Sequence, residues 1–122
     1  MAQDRPSAAE LLQAVREFLE RDVMAATEGR VQFHTRVAVN ALGMIERELT
    51  IGPALDDAAY ARARALLGHD GDRAFFEREL AARIREGSLD DRLDEVRAHV
   101  RATVREKLLV ANPGYLPAAE RT

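Results

Sequence analysis

The sequence predicts an all-α fold: a single-domain bundle of about five mostly antiparallel helices over residues 1–122, with its core at about 7–116. Apolar residues recur at helical spacing, no segment shows the alternation of a strand, and short Gly- or Pro-containing links separate the periodic segments. The chain's 122 residues also match the size of one ordinary domain. We expect both termini to be frayed.

Local signals define each helix in order. The first predicted helix opens at Ser7, where Glu10 stands at capping-box spacing, and it stops near Gly29. The second halts at Gly52-Pro53, and the fifth stops before Pro113 because proline disfavours helix in the residue before it. The five predicted helices cover about 7–29, 30–50, 56–67, 70–87 and 88–112, and Gly68 ends the third of them.

Composition and charge exclude several classes of protein. Seventeen of the 18 basic residues are Arg, Lys107 is the single lysine, and 21 acidic residues bring the net charge to −3. A mildly acidic chain argues against a general nucleic-acid binder, and a chain without Cys has no disulfide or thiolate zinc site. No apolar run reaches the roughly 18 residues of a membrane span, and Met1–Pro6 lacks a signal-peptide core. We expect a cytoplasmic protein that binds neither membrane nor nucleic acid.

Catalytic and metal-binding signatures are missing from the sequence. There is no Gly-x-Ser-x-Gly, no phosphate-binding glycine loop, no Cys nucleophile and no His-Glu-x-x-His. Glu95 and His99 are four residues apart, which is not the Glu-x-x-His spacing of di-iron bundles. We expect no independent enzymatic activity, no metal and no cofactor, with His34, His69 and His99 at boundary or surface positions.

The second predicted helix is apolar almost all round, which is typical of a central helix or of one at an oligomer interface. Helical winding places Val37, Ala41 and Met44 at the centre of its apolar arc, where we expect them to face the core. The alternative is a homodimer formed through its outer residues, Val39 and Leu42.

A few polar residues lie on these apolar faces. Glu48 falls in the direction of the second helix's arc, and Lys107 falls on the stripe of Val96, Val100, Val104 and Ala111 in the fifth helix. Because an unpaired buried charge costs several kcal/mol, we predict that Lys107 buries its stem and pairs its ammonium, with Glu48 as first partner. Alternatively, both extend into solvent near helix ends.

Other polar residues suggest binding. Asn40 borders the arc of the second helix, where it would pair with Arg36, cap another helix or contact a ligand. Arg97, Arg101 and Arg105 follow one another at i, i+4, so they either pair with acids such as Asp94 and Glu106 or form a docking strip for an acidic partner or a phosphorylated ligand.

Five blocks of the chain resemble a family of small bacterial domains of unknown function. The similar blocks are 5–19 (RPSAAELLQAVREFL), 33–42 (FHTRVAVNAL), 46–49 (EREL), 81–87 (AARIREG) and 107–116 (KLLVANPGYL). Together they extend over almost the whole chain. This chain departs from the family pattern at Gly114, where members usually carry a larger residue, often Arg.

The resemblance implies an accessory role. Members are typically encoded beside, or fused to, aminoglycoside-phosphotransferase-like kinases, often near acyl-CoA dehydrogenases, and such kinases are thought to phosphorylate hydroxyacyl-CoA-like substrates. The family has no established catalytic residues. The residues that match its recurrent polar positions are His34, Arg36, Asn40, Glu46, Glu48, Lys107, Asn112 and Tyr115.

Three functions therefore remain open from the sequence. The first is a non-catalytic interaction domain for such a kinase, with the polar residues above and Arg97 and Arg101 as contact candidates. The second is a bundle that binds an acyl or phosphate group where His34, Asn40 and Lys107 converge. The third is a structural homodimer without a ligand.

Overall fold

A computed structural model describes residues 4–122, and it confirms the all-α prediction, since no strand occurs in that range. The helices are α1 (Ala8–Phe18), α2 (Met24–Ala26), α3 (Gly29–Leu67), α4 (Arg73–Glu86) and α5 (Leu93–Ala111). A π-helical turn, Leu19–Val23, joins α1 to α2, and 3-10 turns lie at Asp90–Arg92, Pro113–Tyr115 and Ala118–Glu120. No helix of this part of the chain is long and apolar enough to cross a membrane.

The start of α1 is the capping box that the sequence predicts. The Ser7 hydroxyl accepts a hydrogen bond from the Glu10 backbone N–H at 3.2 Å, and the Glu10 carboxylate accepts one from the Ser7 N–H at 3.2 Å. The Arg5 guanidinium also donates a hydrogen bond to the Glu10 carboxylate. This bond is the main reason that the pKa of Glu10 is lowered to about 2.

Helix α3 contradicts the predicted halt at Gly52-Pro53. The helix runs through both residues without interruption from Gly29 to Leu67, so the second and third predicted helices are one. A residue before proline is driven out of the helical region by contact of its backbone N–H and its Cβ with the proline ring, and Gly52 lacks the Cβ part of that contact. Gly68 ends the helix as predicted, with a φ of +79° that favours glycine.

The chain divides into two compact units, which we name unit 1 and unit 2. Unit 1 takes in the described residues up to Gly52 together with Val110–Asn112, and unit 2 comprises Pro53–Leu109 and Pro113–Thr122. Pro53, the proline inside α3, is thus also the first residue of unit 2.

Unit 2 contains the hydrophobic core. Phe76 and Leu80 of α4 pack with residues of α3 and α5, and the Phe76 ring stacks on Tyr60 with centroids 5.1 Å apart. The buried apolar residues of this unit are Ala63, Leu66, Leu67, Phe76, Leu80, Leu89, Val96, Leu109 and Leu116.

Unit 1 is held together differently. None of its described apolar side chains is fully buried, and the buried Thr35 bonds to the Val31 carbonyl of its own helix. Polar side chains link its segments: Arg47 Nε donates to the Val110 carbonyl at 2.8 Å, and Gln32 donates to the Met24 and Thr27 carbonyls.

Candidate functional site

The apolar arc of α3 in unit 1 faces solvent, contrary to the sequence prediction. Phe33, Val37, Ala41 and Met44 are all exposed, and their i, i+4, i+8, i+11 spacing places them on one side of the helix. We name these four residues the α3 stripe. The opposite side, which carries the half-buried Leu42, is the inward one. Apolar periodicity identified the stripe correctly, but not which way it faces.

A second exposed apolar row lies on α1. Leu11, Val15 and Phe18 are spaced i, i+4, i+7, so they share one face, and each is at least half exposed. We name them the α1 stripe. Contiguous apolar patches are uncommon on monomeric proteins outside interaction sites, and rows of exposed apolar side chains on two helices give unit 1 this feature.

Four of the polar candidates accompany the α3 stripe. His34, Arg36, Asn40 and Glu48 are exposed residues of the same helix segment, and none makes a side-chain hydrogen bond within the described chain. The His34 ring lies edge-on to Phe33, with centroids 5.4 Å apart. The predicted Asn40–Arg36 pair is absent. An apolar centre with unengaged polar groups around it is the usual composition of a protein interface.

Glu46 has a structural partner instead. Its carboxylate accepts a hydrogen bond from Arg16 Nε of α1 at 3.1 Å, and both side chains are about three-quarters buried. Since this ion pair joins α1 to α3, Glu46 is engaged in holding unit 1 together.

Lys107 is exposed, so the prediction that its stem is buried is wrong. It lies on the same face of α5 as Val100 and Val104, as predicted, but that face is exposed too. Within its own unit the ammonium has no ion-pair partner in the described residues. Glu48 is likewise exposed; it belongs to unit 1, and the Lys107–Glu48 pair stays a prediction.

The arginine strip borders a groove in unit 2. Val96, Val100, Val104 and Leu116 form apolar walls of a groove of about 640 Å³, which Arg97, Arg101, Arg105 and Glu120 also line. Arg97 has only a long, solvent-exposed contact with Asp94, at 3.5 Å, and Arg101 makes no side-chain hydrogen bond in residues 4–122. The structure therefore brings Arg97 and Arg101 together, and leaves them available to an anionic group.

The last two candidates are exposed residues near the C-terminal end of α5. Asn112 makes no side-chain hydrogen bond with any described residue, and Tyr115 is 76% exposed. Neither Asn112 nor Tyr115 lines the arginine groove, and the same is true of His34, Asn40 and Lys107. The convergence of His34, Asn40 and Lys107 on one pocket therefore stays a prediction, since the first two belong to unit 1 and the third to unit 2.

A buried polar cluster in unit 2 is the feature that sequence reasoning missed. His99 of α5 is only 8% exposed, and its Nδ1 accepts a hydrogen bond from Arg62 Nε of α3 at 3.3 Å. Arg62 makes two further bonds to the Glu106 carboxylate, which belongs to α5. The expectation of a boundary or surface position is wrong for His99. Its spacing of i+3 from Val96 and i−7 from Glu106 was the available signal.

The environments of two histidines shift their pKa values in opposite directions. Burial, and next the adjacent Arg62 charge, lower the pKa of His99. The Asp70 carbonyl and then the Glu79 carboxylate, 2.7 Å from Nε2, raise the pKa of the exposed His69. His99 is therefore a weaker base than an ordinary histidine and His69 a stronger one. No group of three or more His, Asp or Glu residues fit to hold a metal occurs between Asp4 and Thr122.

The fold and these surfaces define a class: a small all-helical domain with one packed unit and one unit that exposes apolar helix faces. A family model for a domain of unknown function, DUF6285, matches residues 25–115. The chain belongs to this family. No curated protein and no solved structure matches it.

Proposed function

We propose that this chain is a non-catalytic accessory domain that docks onto an aminoglycoside-phosphotransferase-like kinase through unit 1. The observation that supports docking is the exposure of the α1 and α3 stripes in a unit without a buried apolar side chain among its described residues. The sequence resemblance described above supplies the kinase as the partner. The kinase would act in acyl-CoA or hydroxy-acid metabolism.

The composition of the surface supports a protein partner. Apolar side chains such as Phe33 and Val37 supply the area that excludes water, and His34 and Asn40 nearby supply directional hydrogen bonds. A single truncation of a central aromatic anchor in such an interface costs about 2 kcal/mol or more, which is about 30-fold in affinity.

The test is co-purification of the chain with the kinase encoded beside it, using two matched phenylalanines. Phe33 in unit 1 and Phe75 in α4 of unit 2 are both 59% exposed. Phe33→Glu should abolish the complex at micromolar concentration, whereas Phe75→Glu should leave it intact. Absence of a complex for the unaltered chain, with no change in kinase activity, would overturn the proposal.

A homodimer is the competing occupant of the same surface. Light scattering on the isolated chain measures it directly: we expect a monomer that becomes a heteromer only with the kinase. A stable dimer that Phe33→Glu dissociates would instead assign the α3 stripe to self-association. Val39 and Leu42, the residues first expected to form such a dimer, are half-buried.

A second candidate function is binding of an acyl chain with an anionic head, and the arginine groove favours it. Val100 and Val104 offer an apolar wall, and Arg101 offers a guanidinium without a protein partner in the described chain. Calorimetric titration with octyl phosphate should give binding that Arg101→Gln weakens about tenfold. Arg85→Gln, at an exposed arginine of α4, is the control. Equal affinity of octyl phosphate for the unaltered chain, Arg101→Gln and Arg85→Gln would contradict this function.

A further inference from the structure

Unit 2 contains a second cavity, separate in its lining from the arginine groove. It has a volume of about 330 Å³ and lies against α3, α4 and α5. Ala59, Ala63 and Leu80 line it, and the small size of the two alanines leaves the space open. This volume is at the lower end of the range of small-molecule sites in proteins.

One buried polar group faces this cavity with an unused hydrogen-bond donor. Arg62 is a permanent donor, so the His99 Nδ1 that receives its hydrogen bond carries no proton, and the ring proton is on Nε2. His99 lines the cavity, and its Nε2 makes no hydrogen bond to any of residues 4–122. No buried side-chain nitrogen or oxygen of residues 4–122 lacks a partner, so the Nε2 atom is not itself sealed from solvent, and the cavity is the space that its ring lines. The reduced pKa of His99 agrees with this neutral tautomer.

The hydrogen bond from Arg62 stabilises this tautomer of His99. Arg62 is fixed by its two bonds to Glu106, whose side chain is only 11% exposed. Thr103, which also lines the cavity, donates to the His99 backbone carbonyl at 3.0 Å. The donor is therefore preorganised, which reduces the entropy cost of receiving an acceptor.

Charge around the cavity disfavours an anion. Asp56 and Glu77 line it, and the one cation in the lining, Arg73, is engaged with Asp57 at 2.8 Å. The same guanidinium lies 4.5 Å from the centroid of the Tyr60 ring. A carboxylate or phosphate would meet two like charges and no free cation of the lining.

The aromatic rings of the lining do not offer a stacking site. Tyr60 has Phe76 stacked on its ring and Arg73 over it, and Phe76 also meets the edge of His69, with centroids 5.5 Å apart. A ligand therefore meets mainly aliphatic walls, such as those of Ala59 and Leu80. Aliphatic groups fit this lining better than a flat ring.

We propose that this cavity binds a small, uncharged aliphatic molecule whose carbonyl oxygen accepts a hydrogen bond from His99 Nε2. This site goes beyond kinase docking, because every residue of its lining belongs to unit 2. It also differs in chemistry from the arginine groove, which suits an anionic head.

Matched probes test the head group. Hexanamide and hexanoate share a chain length and a carbonyl but differ in charge. Titrated into the ¹⁵N-labelled chain, hexanamide should shift the His99 ring resonances with a Kd of about 1 mM, the range of a fragment-sized ligand. Hexanoate should bind at least about tenfold more weakly. The proposal is overturned if neither probe shifts the His99 resonances, or if hexanoate binds as tightly as hexanamide.

Adjacent alanines of α3 test the location. Ala59→Leu fills the cavity and should lower the affinity for hexanamide at least about tenfold, whereas Ala58→Leu, at an exposed neighbour outside the lining, should not. His99→Gln keeps an N–H donor and should retain part of the binding that His99→Leu removes. If a His99 variant fails to fold, the Ala59/Ala58 pair still decides, because equal affinities in that pair contradict the site.

Discussion

Unit 2 buries nine apolar side chains, whereas no described apolar side chain of unit 1 is buried. Both units are built from amphipathic helices with a similar apolar content. The difference lies in what the apolar faces contact: in unit 2 they contact one another, and in unit 1 polar links such as Arg16–Glu46 join the helices. A unit of the second kind gains less from hydrophobic burial, so a partner that covered its apolar stripes would stabilise it.

The largest expected difference between the units is the response to truncating leucine. Leu66 is buried in the core of unit 2, so Leu66→Ala should cost about 2–5 kcal/mol of unfolding free energy. Leu42 is half-buried in unit 1, and Leu42→Ala should cost less than half as much. Urea denaturation measures both losses. Hydrogen exchange should also be faster for α1 than for α5. Equal losses would contradict the division into a packed and an open unit.

The buried ion pair of unit 2 should give the next largest effect. Glu106→Gln leaves the Arg62 guanidinium partly unpaired in a site with little solvent and should cost about 1–3 kcal/mol. Glu95→Gln removes the carboxylate partner of Arg92 in an exposed pair, where solvent screens the attraction, and should cost much less. Thermal unfolding of both variants under one buffer condition makes the comparison. A similar cost for both would mean that Glu106 is no better shielded than Glu95.

How much of this was predictable from the sequence depends on the signal. The Ser7 capping box and the stop at Gly68 are local, so the residues themselves determine them, and both predictions are confirmed. The stop at Gly52-Pro53 was wrong, since the helix continues through both residues, and the missing Cβ of Gly52 removes one of the contacts that disfavour helix before proline.

The orientation of the helices was the harder part. Periodicity identified the stripes of α3 and α5, including the position of Lys107 among valines, but tertiary packing decides whether a stripe faces a core or solvent. In α5 the inward side carries His99 and Glu106, which a hydropathy pattern counts as polar. The assumption that an apolar stripe marks the inward side of a helix therefore concealed the buried cluster, and it also placed Lys107 inside.

The opposite pKa shifts of His99 and His69 predict how the free energy of unfolding depends on pH. The pKa of His99 is lower in the folded chain than its ordinary value of 6.5, so the unfolded chain binds the extra proton first and stability falls as pH drops below about 6.5. The pKa of His69 is raised, so its contribution is present below 6.5 and is lost as pH rises above that value.

Unfolding measured across this pH range separates the two contributions. His99→Gln should flatten the acid side of the stability profile, whereas His69→Gln should flatten the alkaline side by a smaller amount, since His69 is solvent-exposed. An unchanged acid side in His99→Gln would show that His99 is not buried in the neutral form.

The smallest expected changes in unfolding free energy are those of substitutions on the exposed apolar faces of α3 and α5. Val37 in unit 1 and Val100 in unit 2 are 49% and 45% exposed, so Val37→Gln and Val100→Gln should each change the unfolding free energy of the isolated chain by less than about 0.5 kcal/mol. Lys107→Gln should be equally neutral, because no partner within its unit is lost. Denaturant titration resolves differences of this size only when the variants are measured side by side.

A loss above about 1.5 kcal/mol for Lys107→Gln would support the predicted pairing of Lys107. The same loss for Glu48→Gln would identify Glu48 as the partner. A neutral result for all three, together with loss of kinase binding for Val37→Gln alone, would separate an exposed face that serves docking from one that does not.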